Sequence, residues 1–186
     1  MLLRIVSFLL ETVFFLLIGA ALLRAWMNGC RVNMTAQPGT FVMALTSWLV
    51  KPLRRVLPAS LRKSRVDWAS IVAAALLALA YAVVWALIFG VLLAEREGAE
   101  SAALLGLLPF AVKMLIRVAL QTLMILVFGF AILSWVQPGS SAYTMLGRLT
   151  EPMLAPLRKV IPTIGGVDLS ALVLIVLLQI GLMVLV

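Results

Sequence analysis

The stretch ASIVAAALLALAYAVVWALIFGVLLA, residues 69–94, is an unbroken apolar run between Asp67 and Glu95. A bilayer core about 30 Å thick needs around 20 apolar residues in a helix that rises about 1.5 Å per residue. Lipid offers no partners to backbone amides, and the run lacks the alternating pattern of a barrel strand. The sequence therefore predicts a transmembrane helix here.

Three further apolar runs have a similar length, at about Leu2–Trp26, Leu115–Val136 and Leu169–Val186. The first is longer than the roughly 7–15 residues of a signal-peptide core and has no convincing cleavage site, so we expect a retained helix, with a removed signal as the alternative. Of the 186 residues, 65% are hydrophobic and 12% charged, whereas a soluble domain has about 25% charged residues. The predicted fold is an all-α membrane protein with four transmembrane helices.

The two segments that follow the first and third runs are basic. They hold ten of the 15 Lys and Arg residues: Arg31, Lys51, Arg54, Arg55, Arg62, Lys63, Arg65, Arg148, Arg158 and Lys159. The positive-inside rule places both segments in the cytoplasm and both termini outside, although Arg4, Lys113 and Arg117 oppose this orientation. In so apolar a chain, the net charge of +8 favours anionic lipid over nucleic acid as the partner.

The residue inventory restricts the chemistry. The chain has no histidine and one cysteine, Cys30, which excludes an intrachain disulfide and histidine ligation of zinc or haem iron. Asp67 and Asp168 are far apart in the sequence and have no nucleophile or base beside them, which is weak support for catalysis. We expect no enzyme activity, no metal and no cofactor.

Two nearly identical heptapeptides, PLRRVLP at 52–58 and PLRKVIP at 156–162, indicate an internal repeat. In the same register Thr46 matches Thr150, and after a small shift in spacing VDWAS at 66–70 resembles VDLSA at 167–171. Each unit reads as helix, basic segment, helix. Two crossings return the chain to its starting side, so the copies are expected to be parallel. The predicted organisation is a first repeat over 1–94, a connecting loop over 95–114 and a second repeat over 115–186.

The pattern SW…GRLTEPMLAPLRKVIPTIGGVDLS resembles the signature of the YggT family of bacterial membrane proteins, also called YlmG. The resemblance is strongest over Ser134–Val186 and weaker over Arg24–Ala94. The first copy departs from the second by having Ser47 and Trp48 in place of Glu151 and Pro152, and by lacking the glycine pair at 165–166.

The resemblance implies a multi-pass protein of the bacterial cytoplasmic (inner) membrane. It also implies a link to osmotic stress and ion uptake, or to cell division and the assembly of membrane complexes; plastid relatives are associated with cytochrome maturation and nucleoid distribution.

The segment TFVMALTSWLVKPLRRV, residues 40–56, has apolar residues at helical spacing and basic residues largely elsewhere, and YTMLGRLTEPMLAPLRKV at 143–160 repeats the pattern. This predicts basic amphipathic helices in the headgroup plane. The candidate residues for lipid or partner contact are Lys51, Arg54, Arg55, Arg62, Lys63, Arg65, Arg158 and Lys159. Alternatively, these charges only set the topology, or the segments form a re-entrant loop.

Asp67 and Asp168 each directly precede an apolar run. An aspartate there accepts from the free N–H groups of the first helical turn and lies at the positive end of the helix dipole, which predicts helix caps. The alternative is an ion pair with Arg54, Arg55, Arg158 or Lys159.

Glu11 falls near the middle of the first apolar run, where a carboxylate costs about 2.5–3.5 kcal/mol. Its candidate partners are Gln121, Thr122 and Gln179, the other polar groups at depth. Hydrogen bonding across helices is one interpretation, and an ion or proton path is the other. Near the cytoplasmic end, Arg24 is expected to snorkel to the interface.

Trp26 and Trp135, at the ends of the first and third runs, are expected in the interfacial aromatic belt. Together these features favour a membrane scaffold or assembly factor in envelope organisation or cell division. Its expected partners are anionic lipids, membrane or division proteins and further copies of the chain. The alternative is an osmotic-stress-related channel or ion-uptake component.

Overall fold

The computed structural model of the chain describes residues 1–34, 38–58, 66–90, 99–161 and 169–185; of residues 89, 90 and 99–105 it describes the backbone alone. The described chain is helical. Its α-helices are α1 Leu2–Gly29, α2 Gly39–Val56, α3 Trp68–Trp85, α4 Ala99–Val136, α5 Ser141–Arg158 and α6 Leu169–Leu185, and α3 continues as a π-helix over Ala86–Gly90.

Three of the described helices are long and apolar enough to cross a bilayer: Leu2–Gly29, Trp68–Ile88 and Gly106–Val136. The apolar helix α6 is shorter, with 17 residues. In both halves of the chain, an apolar helix leads into an 18-residue helix with an internal proline, and then into a second apolar helix.

Helix α4 begins well before the position predicted from the sequence. A loop is predicted over 95–114, but the structure is helical from Ala99 onward and passes through Pro109 without a break. A proline within a helix removes one backbone hydrogen bond and need not end the helix when the flanking residues remain apolar. As a result, Lys113 and Arg117 lie inside α4 rather than at its mouth.

The first core lies where α1, α3 and α4 meet. Ala74 and Ala78 of α3 are buried against Ile18 of α1 and Val118 of α4, because alanine lets helix backbones approach closely. α1 also approaches α4 at Gly19, where an added Cβ would lie 3.3 Å from the Thr122 hydroxyl. A second core joins α4, α5 and α6.

The two amphipathic helices differ in how much of their predicted apolar side they bury. Of the predicted apolar face of α2, Phe41 is 58% and Trp48 61% exposed, whereas the buried line includes Val42, Thr46 and Val50. In α5 the predicted apolar side packs on the bundle, with Leu149 buried and Leu157 packed against buried core residues. α2 therefore has one side against the bundle and separate exposed apolar residues, whereas α5 has its apolar side against the bundle.

Candidate functional site

Asp67 joins the end of α2 to the start of α3. Its side chain is 4% exposed, and Oδ2 accepts from Arg54 Nη2 and from the Ser70 hydroxyl, each at 2.9 Å. Asp67 occupies the N-cap position of α3, but its carboxylate makes no capping bond to the backbone of the first turn. The predicted backbone cap is therefore absent at Asp67, and the ion pair with Arg54, which was the alternative, is present.

Arg24 lies buried between α1 and α2. It is 8% exposed, and its Nη1 donates to Thr46 Oγ1 at 2.9 Å, while the Thr46 hydroxyl donates to the Val42 carbonyl at 2.7 Å. The snorkelling predicted for Arg24 is wrong, because α2 brings a hydrogen-bond acceptor to the guanidinium inside the protein. The requirement for that acceptor explains why a polar threonine lies on the buried line of α2.

Trp26, near the end of α1, connects the two halves of the chain. Its indole N–H donates to the backbone carbonyl of Leu149 in α5 at 2.9 Å. Pro152 of the same helix lacks the N–H that would bond the carbonyl of Arg148, the residue before Leu149. Trp135, the other tryptophan predicted for the interfacial belt, is 71% exposed. Because the acceptor of Trp26 is a backbone atom, no residue type in the sequence indicated this contact.

The basic residues predicted for lipid or partner contact fall into separate groups. Lys51, Arg55 and Lys159 are exposed. Arg158 pairs with Glu151 at 2.8 Å, and its guanidinium carbon lies 5.8 Å from the centroid of the Phe130 ring. The predicted contact residues Arg62, Lys63 and Arg65 and the predicted cap Asp168 lie outside the described residues.

Glu11 pairs with Arg117 of α4, at 3.3 Å between Oε1 and Nη1, and both side chains are 44% exposed. The pair lines a cavity of about 270 Å³ that Gln121, one of the predicted partners, also lines. The other two predicted partners point elsewhere: the Thr122 hydroxyl donates to the Val118 carbonyl, and Gln179 is on the exposed face of α6.

Arg117 is missing from the predicted partners because α4 was expected to begin at Leu115, which placed Arg117 at the membrane surface. A helix that continues back through Pro109 moves Arg117 to the depth of Glu11. The signal that could have located it is the apolar sequence LLGLLPFAV at 104–112.

The described residues contain no group of three or more Cys, Asp or Glu side chains that could hold a metal ion. Charged groups at Arg24 and Asp67 hold α2 against the apolar helices, and the Trp26 indole holds α5. The arrangement is suited to presenting a surface.

The comparisons with known proteins cover nearly the whole chain. A family model described as CCB3/YggT matches residues 2–88 and 110–186. A Vibrio alginolyticus relative, an uncharacterised protein in the proC 3′ region, is 36% identical over 177 residues, which are 93% of this chain and 89% of the relative. The uncharacterised protein YggT of Escherichia coli K12 is 32% identical over 94% of this chain and 85% of its own. No solved structure matches the chain.

Proposed function

The chain belongs to the CCB3/YggT family, and on that premise we propose that it is a non-enzymatic scaffold or assembly factor of the bacterial cytoplasmic membrane, acting in envelope organisation or cell division. Its proposed architecture is four transmembrane helices in two tandem parallel repeats. The common element order of the two halves supports the duplication. α6 supports a fourth span, since 17 residues reach about 26 Å at 1.5 Å per residue, close to the thickness of the bilayer core.

The proposed orientation places α2 and α5 on the cytoplasmic side. Short loops and helix ends rich in Lys and Arg remain in the cytoplasm, and anionic headgroups there attract them. The exposed apolar side of α2, with Phe41 and Trp48, is suited to burial at the membrane surface, with Lys51 and Arg55 in contact with headgroups or partners.

The observation that carries the scaffold proposal is the fixation of α2 and α5. The Arg24–Thr46, Arg54–Asp67 and Trp26–Leu149 contacts tie these helices to the bundle, so their exposed cations are held in fixed relative positions. A preorganised surface loses little conformational entropy when a partner binds. A basic segment that served only to set topology would not need such attachments.

The test is crosslinking with mass spectrometry in native membranes. We expect a reproducible protein partner that is lost in Lys51→Glu, because the introduced carboxylate repels an acidic partner. The matched control is Arg4→Glu, which makes the same change of charge at an exposed position near the start of α1, at the end of that helix away from α2. Recovery of lipid alone, or equal losses in both variants, would contradict the scaffold role.

The cavity at Glu11 favours a second candidate function, an osmotically relevant channel or ion-uptake component. Arg117 neutralises Glu11 there, which makes the site a poor cation path unless a further copy of the chain rearranges it. Potassium flux into proteoliposomes, compared between the parent chain and Glu11→Gln, tests this candidate. A flux that Glu11→Gln abolishes would establish transport in place of the scaffold role.

A further inference from the structure

An apolar pocket of about 540 Å³ opens between α1, α3 and α4, in the half of the bundle next to α2 and α5. Its lining includes Leu22 and Gly29 of α1, Ile71 of α3, Leu126 of α4 and Pro152 of α5. This volume is within the range of about 300–1,000 Å³ that is typical of ligand sites.

The described contacts of α3 differ between its two ends. Towards its end, α3 is in contact with α4, and Tyr81 stacks on Phe110 with ring centroids 5.9 Å apart. Near its start, α3 packs on α2 instead, where Val50 is buried against Ala69 and Ala73. The Arg54–Asp67 pair also joins α2 to the start of α3.

The polar groups in the wall have partners or are uncharged. The Thr122 hydroxyl donates to the Val118 carbonyl, and the Trp26 N–H donates to Leu149. Burial raises the pKa of the Cys30 thiol, which therefore stays neutral. Among the described lining residues, an occupant of this pocket gains contact with hydrocarbon and meets no unpaired charged group, which fits an acyl chain.

Two arginines lie close in the sequence to lining residues of the pocket. Arg31 directly follows Cys30 of the lining, and Arg148 precedes Pro152 of the lining by one helical turn. Both arginines are exposed. An apolar pocket with exposed cations next to its lining residues in the chain is complementary to a lipid with an anionic headgroup.

We propose that this pocket binds one acyl chain of an anionic phospholipid, with the lipid phosphate at Arg31 and Arg148. The proposal rests on the membrane placement given above and not on the scaffold role. It differs from general attraction of the basic surface to anionic lipid, because it requires a bound chain beside Trp26.

The test uses Trp26 as the probe. A variant that keeps Trp26 and carries Phe at the other four tryptophan positions, 48, 68, 85 and 135, is reconstituted into phosphatidylcholine vesicles. Small amounts of phosphatidylglycerol or phosphatidylcholine with brominated acyl chains are then titrated in, and quenching of Trp26 fluorescence is measured. We expect phosphatidylglycerol to quench Trp26 at lower mole fractions than phosphatidylcholine does.

Gly29→Phe fills the pocket. Gly29 lines the pocket, and a Cβ added there meets nothing within 4 Å. A Cβ added at Gly106 in α4 also meets nothing within 4 Å, but Gly106 is not in the lining. Gly106→Phe is therefore the matched control. We expect Gly29→Phe to abolish the preference for phosphatidylglycerol and Gly106→Phe to retain it. Ala119→Leu, which fills the pocket from α4, provides an independent second variant.

The headgroup contact is tested with Arg148→Gln against Arg55→Gln, an equal charge change on α2. Since one basic residue near anionic lipid contributes about 1 kcal/mol, we expect Arg148→Gln to weaken the preference about fivefold and Arg55→Gln to leave it nearly unchanged. Equal quenching by both lipids, unaffected by Gly29→Phe and Ala119→Leu, would overturn the acyl-chain site. Trp26 that neither brominated lipid quenches would instead refute the membrane placement.

Discussion

At the scale of single residues, two buried charges, Asp67 and Arg24, depend on partners from α2. A buried charge without a partner is strongly unfavourable, so the stability of each side chain depends on its specific contacts. The sequence offered Arg54 as an alternative partner of Asp67, because both residues lie near the junction of α2 and α3. It did not indicate that Thr46 would contact Arg24, since this contact depends on which side of α2 faces α1.

Asp67→Ala removes an acceptor from Arg54 and Ser70. Arg54 is about half exposed and regains water, so we expect the free energy of unfolding to fall by about 1–3 kcal/mol rather than by the larger cost of a fully buried pair. Denaturant titration in detergent micelles measures this change.

Glu151→Ala is the comparison. The Glu151 carboxylate that pairs with Arg158 is exposed, so this ion pair should contribute about 0–1 kcal/mol to the free energy of unfolding. Equal effects of Asp67→Ala and Glu151→Ala would show that burial of Asp67 does not determine the strength of its pair.

Cys30 gives a prediction about pH. Because burial raises the pKa of its thiol, the reactive thiolate is scarcer at neutral pH than in a free cysteine. We expect maleimide to modify Cys30 slowly at pH 7, with a rate that rises as the pH increases beyond the usual range of thiol titration. A rate at pH 7 equal to that of the unfolded chain in denaturant would contradict this.

At the scale of elements, helix existence was predictable and helix extent was not. The apolar runs exceed the length that a membrane span requires, so α1, α3 and α4 were all expected. The start of α4 was misplaced because Pro109, Lys113 and Arg117 resemble a boundary when the residues are read one by one. Misplacing it also concealed the Glu11–Arg117 pair. The buried line of α2 could not be predicted either, since its exposed apolar residues carry the same periodic signal as its buried ones.

Thr46 and Thr150 occupy matching positions in α2 and α5, and both are buried. The Thr46 hydroxyl accepts from Arg24, whereas the Thr150 hydroxyl donates to the Leu146 and Gly147 carbonyls of its own helix. We expect Thr46→Val to lower the free energy of unfolding by about 1–3 kcal/mol, because it removes an acceptor from a buried cation.

Thr150→Val keeps the shape of its side chain and leaves no charge without a partner, so it should cost less than about 1 kcal/mol. Thermal unfolding of the two variants in the same detergent tests the difference. If Thr150→Val is the more destabilising variant, the Arg24–Thr46 bond does not hold α2 to the bundle.

At the scale of the whole molecule, polar contacts between described residues join the first half of the chain to the second at two places on α1. Trp26 meets α5 near one end of α1, and Glu11 meets α4 nearer the other end. Between them α1 approaches α4 at Gly19. The relative placement of the halves is therefore fixed at three levels along α1, and these contacts depend on the packing of helices far apart in the sequence.

The Glu11–Arg117 pair tests whether this join matters within a membrane. Glu11→Ala leaves the Arg117 cation at depth without its partner, and Arg117→Ala does the same to the carboxylate, so each single variant should cost about 2–3 kcal/mol of stability. Removing both charges leaves nothing unpaired, and the double variant should therefore cost less than the sum of the single variants, by about 1 kcal/mol or more. Unfolding in bilayer-like micelles, measured for all four proteins, yields the coupling energy.

The charge-exchanged variant, Glu11→Arg with Arg117→Glu, should recover part of the loss, because the attraction does not depend on which helix carries which sign. Additive single effects with no recovery on exchange would mean that water or lipid headgroups, rather than the opposite helix, stabilise each charge.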